Sequence, residues 1–188
     1  MLLYDDTATK ALHAAADEAR RFGTDGYETP HVLLGLLRTA DPVTQTVTAD
    51  RPQVTEDAVR SALGAPSRQP LQNGTVEAPN RRLRREPAAE FRQAARRFTA
   101  KWRPLVRNRQ LASGRKLGTG ELWLTVLERD AASARLLSSL EAPPDRLRPL
   151  VLATMVSDGA PVPVWPTELP AGSFRRLLDR LFGSGGRP

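Results

Sequence analysis

The chain contains no cysteine among its 188 residues. That absence excludes a disulfide framework, a thiolate zinc site, a thiol nucleophile and cysteine-ligated iron–sulfur chemistry, and it makes a reducing cytoplasm the expected compartment. Histidine is nearly as scarce. His13 and His31 are the only two, and neither belongs to an HExxH or similar ligand spacing, so no metal and no cofactor are expected. Long apolar runs are missing as well: a stretch such as Val32-Leu33-Leu34-Gly35-Leu36-Leu37 stops far short of the roughly 20 residues a spanning helix needs. Asp5 and Asp6 stand where an export signal would be basic, so no leader is expected.

What is present is a globular composition, 40% hydrophobic and 26% charged. At roughly 100–200 residues per domain it fits one compact domain or two small repeats. The net charge of +7 is unevenly placed: residues 80–120 hold 13 basic and 2 acidic groups, whereas residues 1–64 hold 6 and 10 and residues 121–188 hold 8 and 8. The whole surplus therefore sits in one stretch.

Helical spacing runs through both halves. From Thr9 to Phe22 the small and apolar residues Ala11, Leu12, Ala15, Ala16, Ala19 and Phe22 recur every three or four positions, which makes one stripe of a helix. Thr29 is a good N-cap and Pro30 suits the first helical position; His31 to Arg38 then reads HVLLGLLR, apolar on nearly every side like a buried central helix. Asp41-Pro42 repeats the cap-then-proline start for a helix to about Ala49. Thr55 caps a fourth, with Val54 and Val59 as a staple and Gly64 at its C-terminal end. Residues 65–86 are a linker rich in turn formers and arginine.

The second half, residues 87–156, repeats the first, residues 1–64, in outline. Pro87 to Trp102 is helical, and TGELWLTVLE from Thr119 superimposes on TPHVLLGLL at an offset of 90 residues. Asp130 caps Ala131 to Leu140, and Pro149 opens a last helix through Val156. Two sets of four helices indicate an internal duplication, the second copy carrying an insert over 103–116. Residues 157–172 are a Pro-rich linker, and residues 173–182 form a short amphipathic helix with Phe174, Leu177, Leu178, Leu181 and Phe182 on one face.

The stretch Tyr4 to Leu37 resembles the first repeat of the Clp amino-terminal (Clp-N, or Clp R) domain, the substrate and adaptor module of Clp ATPases. The shared residues are Tyr4, Ala8, Lys10, Ala15, the run Asp17-Glu18-Ala19-Arg20, and Thr29 followed by His31 to Leu37. The second copy retains Ala95-Arg96-Arg97-Phe98 and Thr119 to Leu127. The resemblance covers about residues 4–156 and implies an all-α fold of eight helices in two pseudo-twofold related repeats, with a binding role and no catalysis. It implies a peptide, an unfolded segment, an adaptor, a Clp ATPase subunit or a hydrophobic cyclic-peptide compound as partner. The candidate surface it suggests is the edge formed by Met1, Leu2, Leu3, Tyr4 and Lys10 facing Arg84 and Arg85. Relatives that read phosphoarginine use a Glu between the Thr and the His of each copy; Pro30 and Gly120 stand there instead, and a guanidinium reader needs a carboxylate.

No other chemistry is expected. SGRKLGTG over 113–120 lacks the Gly-Lys-Ser/Thr end of a phosphate loop, so the chain is not expected to be an ATPase, and Asp17-Glu18 point about 100° apart on their helix, a poor acid–base pair. His31 is expected to pack or cap. The basic patch of Arg81, Arg82, Arg84, Arg85, Arg92, Arg96 and Arg97, with Phe91, Phe98 and Trp102 interleaved, admits nucleic acid as an alternative partner, or an acidic protein, or no specific role if the rings are core. The C-terminal helix admits docking on a partner or on its own domain, self-association, or a membrane surface, its short length favouring docking.

Overall fold

A computed structural model describes residues 3–64, 86–108, 110–111, 116–156 and 159–166. The expected all-α architecture is what it contains: α1 (Asp6–Arg21), α2 (Thr29–Thr39), α3 (Pro42–Asp50) and α4 (Glu56–Ala62), then α5 (Ala89–Arg107), α6 (Thr119–Val126), α7 (Ala132–Ser139) and α8 (Pro144–Ala153). The centre is α2 against α6, where Leu33, Leu34, Leu36, Leu122, Trp123, Leu124 and Leu127 are all but completely buried. Such apolar-all-round helices have no solvent face to satisfy, so they occupy the middle and the amphipathic helices surround them. At roughly 1.5–3 kcal/mol per buried large apolar side chain, this cluster is the main source of cohesion.

The duplication is visible in the backbone. Two isolated parallel bridges, Tyr4 with Leu117 and Tyr27 with Pro87, tie the entry of α1 to that of α6 and the entry of α2 to that of α5. Asp6 and Ala89 open α1 and α5, 83 positions apart, whereas Thr29 and Thr119 open α2 and α6, 90 apart. The two halves nonetheless pack differently. Ala8, Ala15 and Ala19 of α1 correspond to Phe91, Phe98 and Trp102 of α5. On the small side, α2 comes so close that a Cβ on Gly35 would lie 2.1 Å from the Ala11 carbonyl oxygen. On the aromatic side, the rings fill a wider gap, Phe98 stacking on Trp102 with centroids 5.6 Å apart.

The same offsets pair charges with reversed polarity, buried Glu18 with half-exposed Arg38 and buried Lys101 with buried Glu128. Glu18 of α1 meets Arg38 at the end of α2 at 3.7 Å, with Arg21 and Arg60 closing in at 2.7 and 3.0 Å. Its counterpart Lys101 meets Glu128, the counterpart of Arg38, at 2.7 Å. A charge this deep persists only when paired and hydrogen-bonded. The second oxygen of Glu128 accepts from the Trp165 indole N–H at 3.2 Å, and Trp165 stacks on Phe98. The described part of the Pro-rich linker is thereby sewn onto the second repeat. Pro163 and Trp165 face in while Val162 and Val164 face out, the alternation of an extended chain lying on a surface.

Several helix starts differ from the sequence expectation. Thr29 and Thr119 lie inside their helices, the caps being Glu28 and Gly118, whose N–H groups donate to Nδ1 of His31 and Oε2 of Glu121. Asp130 does not cap α7: its carboxylate pairs with Arg97, and Glu90 of α5 accepts from the Ala132 N–H instead. The last helix opens at Pro144 and carries Pro149 inside it. The first five residues of the expected insert continue α5, with Leu105 buried. Asp41, Thr55 and Gly64, whose φ is +74°, act as expected at the ends of α3 and α4.

Candidate binding groove at the N-terminal edge

The two bridges that join the repeats also build a concavity of about 450 Å³ on the outer side of α1. Tyr4 is held in place because the Leu117 N–H donates to the Leu3 carbonyl at 2.7 Å and the Asp5 N–H donates to the Leu117 carbonyl at 2.9 Å. Tyr27 is held in the same way: its N–H donates to the Glu86 carbonyl at 3.3 Å and its carbonyl accepts from the Ala88 N–H at 2.9 Å. The neighbouring Gly26 permits this approach, since a Cβ there would meet the Glu86 oxygen at 2.7 Å. Between the two tyrosines, α1 supplies Leu12 and Ala16 as apolar floor and His13, Asp17 and Arg20 as polar rim, the last two paired with each other.

The electrostatics of this groove are set by burial. Both phenols are harder to ionise than a free tyrosine; desolvation raises Tyr4, and desolvation with the nearby Tyr4 pushes Tyr27 up to about 12. Both remain neutral at any physiological pH; half-buried Tyr4 offers an aromatic body with a hydroxyl that can donate or accept, which suits a chain with apolar side chains and backbone amides, whereas Tyr27, 8% exposed, walls the groove. Tyr27 is further fixed against Phe91 at 5.3 Å.

Of the residues that the sequence suggested for this edge, Tyr4 lines the groove, Leu3 is 58% exposed beside it, and Lys10 is exposed but not among the lining side chains. Met1, Leu2, Arg81, Arg82, Arg84 and Arg85 lie outside the described residues, as does the amphipathic segment 173–182. In the rest of the basic patch, Arg97 is paired with Asp130, Arg92 donates to the Pro87 carbonyl at 3.0 Å, and Arg96 is exposed. Phe91, Phe98 and Trp102 are core, so no interleaved ring is free to stack on a base. The sequence pattern did not mark Tyr27, Leu12 or His13 as groove residues. Tyr27 was findable, because it stands two residues before Thr29 as Leu117 stands before Thr119.

The two positions where the resemblance implies a carboxylate are filled. Pro30 is buried in the first turn of α2, and a Cβ on Gly120 would meet the Met155 sulfur at 2.7 Å. Of the neighbouring acids, Glu121 is buried with Oε2 accepting from the Gly118 N–H, its pKa raised chiefly by desolvation, and Glu28 stands half-buried at the N-cap of α2, its pKa also raised by burial and by Glu90. A second carboxylate pattern serves the fold. Thr29 donates to Glu90 at 2.7 Å, which caps α7, and Thr119 donates to Asp41 at 2.8 Å, which caps α3, so each repeat's central threonine holds the acid that starts a helix of the other repeat. Among the described residues no three His, Asp or Glu side chains converge as a metal would require, and no helix is long and apolar enough to cross a membrane.

No protein-family model matches the chain, and no curated protein matches it in sequence. Its fold is similar to the crystal structure of the N-terminal domain of the caseinolytic protease associated chaperone ClpD from Arabidopsis thaliana. The TM-score is 0.53 at 19% identity, over 80% of this chain and 93% of that one. At that identity the likeness establishes the fold, and it is a Clp amino-terminal-like fold of two four-helix repeats.

Proposed function

We propose that this chain is a non-catalytic recognition module that binds a peptide or an unfolded segment of a protein in the groove between Tyr4 and Tyr27. The observation that carries the reading is the groove itself: two neutral, backbone-clamped tyrosines over an apolar helix face, in a fold like that of the N-terminal domain of a protease-associated chaperone. Its volume falls in the roughly 300–1,000 Å³ range of ligand-binding clefts. An adaptor protein, a Clp ATPase subunit and a hydrophobic cyclic peptide present the same chemistry, an amide backbone with apolar side chains, and are the partners this reading favours. Activity as an accessory of a Clp protease system in the cytoplasm follows from it.

The test is capture of partners from the source cytosol on the immobilised full chain, with and without nuclease. The reading expects protein partners that survive nuclease and are displaced from a Tyr4→Ala chain. Loss of all partners on nuclease treatment would place the chain among nucleic-acid-associated regulators and overturn it.

A further inference from the structure

A second concavity, of about 400 Å³, lies on the second repeat and shares no residue with the tyrosine groove. Its floor includes Lys101 of α5, its sides come from α7 and the start of α8, and Trp165 and Pro166 of the docked linker complete it. Its charge is one-sided. Lys101, Arg129, Arg135 and Arg148 line it against a single acid, Asp145.

These four cations are not equivalent. Lys101 is neutralised from below by buried Glu128 at 2.7 Å. Arg148 is pinned: Nε and Nη2 donate to the Leu127 carbonyl at 3.1 and 2.6 Å, and Nη1 pairs with Asp145. Arg129 and Arg135 are exposed and have no acidic partner among the described residues. Two guanidiniums with no acidic partner among the described residues therefore stand on the rim of a cleft walled by an indole and by Pro143, Pro144 and Pro166. A guanidinium fork recognises a carboxylate through two parallel hydrogen bonds, and the ring-and-proline wall takes apolar side chains.

We infer that this cleft is a second binding site and that it takes an acidic peptide segment, one in which carboxylates alternate with apolar residues. Charge complementarity selects the sign of the ligand, and the state of Trp165 selects its class. Single-stranded nucleic acid binds by stacking bases on exposed rings along a basic track. Here the indole is 6% exposed, stacked on Phe98 and bonded through its N–H to Glu128. It can wall a cleft but not receive a base.

The experiment is fluorescence anisotropy of a fluorescein-labelled ten-residue peptide of alternating Glu and Leu, titrated with the full chain at about 50 mM salt, where exposed charges are least screened. Controls are the Gln-for-Glu peptide, a ten-nucleotide oligothymidine and inorganic phosphate as competitor. Arg129→Gln with Arg135→Gln should weaken the acidic peptide at least tenfold at an unchanged melting temperature, and Tyr4→Ala should leave it bound as before. That last arm separates this site from the tyrosine groove, whose failure would not affect it. Equal loss from Arg92→Gln with Arg96→Gln would show undirected charge attraction and overturn the proposal. So would equal binding of the Gln peptide, displacement by millimolar phosphate, or tighter binding of oligothymidine that depends on Arg129 and Arg135.

Discussion

Exchanging the charges of Lys101 and Glu128 tests whether the second repeat holds its buried ion pair for attraction or for a particular polarity. The first repeat carries the opposite sense at the matching positions, buried Glu18 on the first helix and half-exposed Arg38 on the second at 3.7 Å. Lys101→Glu alone places two carboxylates where 2.7 Å separated opposite charges; breaking a buried pair costs about 3–5 kcal/mol, and like charges can only add to it. Glu128→Lys alone costs the same and also strands the Trp165 N–H, for about 1–3 kcal/mol more. The double exchange restores the attraction but not the indole bond. It should lie about 1–3 kcal/mol below the parent chain, and therefore well above either single variant. Urea unfolding followed by far-ultraviolet circular dichroism measures all four chains. Destabilisation of the double variant equal to the sum of the singles would refute the reasoning, because it would mean that the two side chains do not interact.

Two further outcomes are expected. Gly35→Ala forces a methyl to within 2.1 Å of the Ala11 carbonyl and must move α1 away from α2; overpacking of this kind costs about 1–3 kcal/mol or more by chemical denaturation, and a neutral result would show that the helices are not in contact. His31 is held below the ordinary histidine value of 6.5, chiefly by burial, which outweighs the pull of Glu18 and Glu90. The unfolded chain therefore takes up the proton first. Stability should fall as pH drops from about 7 through 6.5 until the folded-state value is passed. In the difference between the parent chain and His31→Asn that slope should remain, and its absence would mean that His31 is as easily protonated folded as unfolded.

Much of the fold could be read from the sequence because its signals are local. The leucine runs at an offset of 90, the Asp41 and Thr55 caps and the glycine at 64 each depend on a few neighbouring residues. What stayed hidden depends on residues far apart. The cap of α7 is Glu90, 42 positions away from Ala132, and nothing near Ala131 announces it. Asp130 has the composition of a cap but is drawn to Arg97. Two prolines at the end of the second repeat could each open a helix, and local pattern alone does not choose between Pro144 and Pro149. At the candidate site, Tyr4 was legible through the resemblance of its surroundings. Tyr27 became part of the site only because the chain at Pro87 returns to pair with it. Trp165, in a stretch that reads as linker, is fixed by Glu128 and Phe98.

The most direct test of the recognition role is the binding of fluorescein-labelled casein, an unfolded chain, to the 188-residue chain by anisotropy, comparing the parent with Tyr4→Ala and with His13→Asp on the exposed rim of the groove. The account predicts saturable binding without cleavage of the casein, weakened at least tenfold by Tyr4→Ala at an unchanged helical circular dichroism spectrum and reduced by His13→Asp at an unchanged unfolding midpoint. Casein bound equally by all three chains, or not bound by the parent, would contradict it.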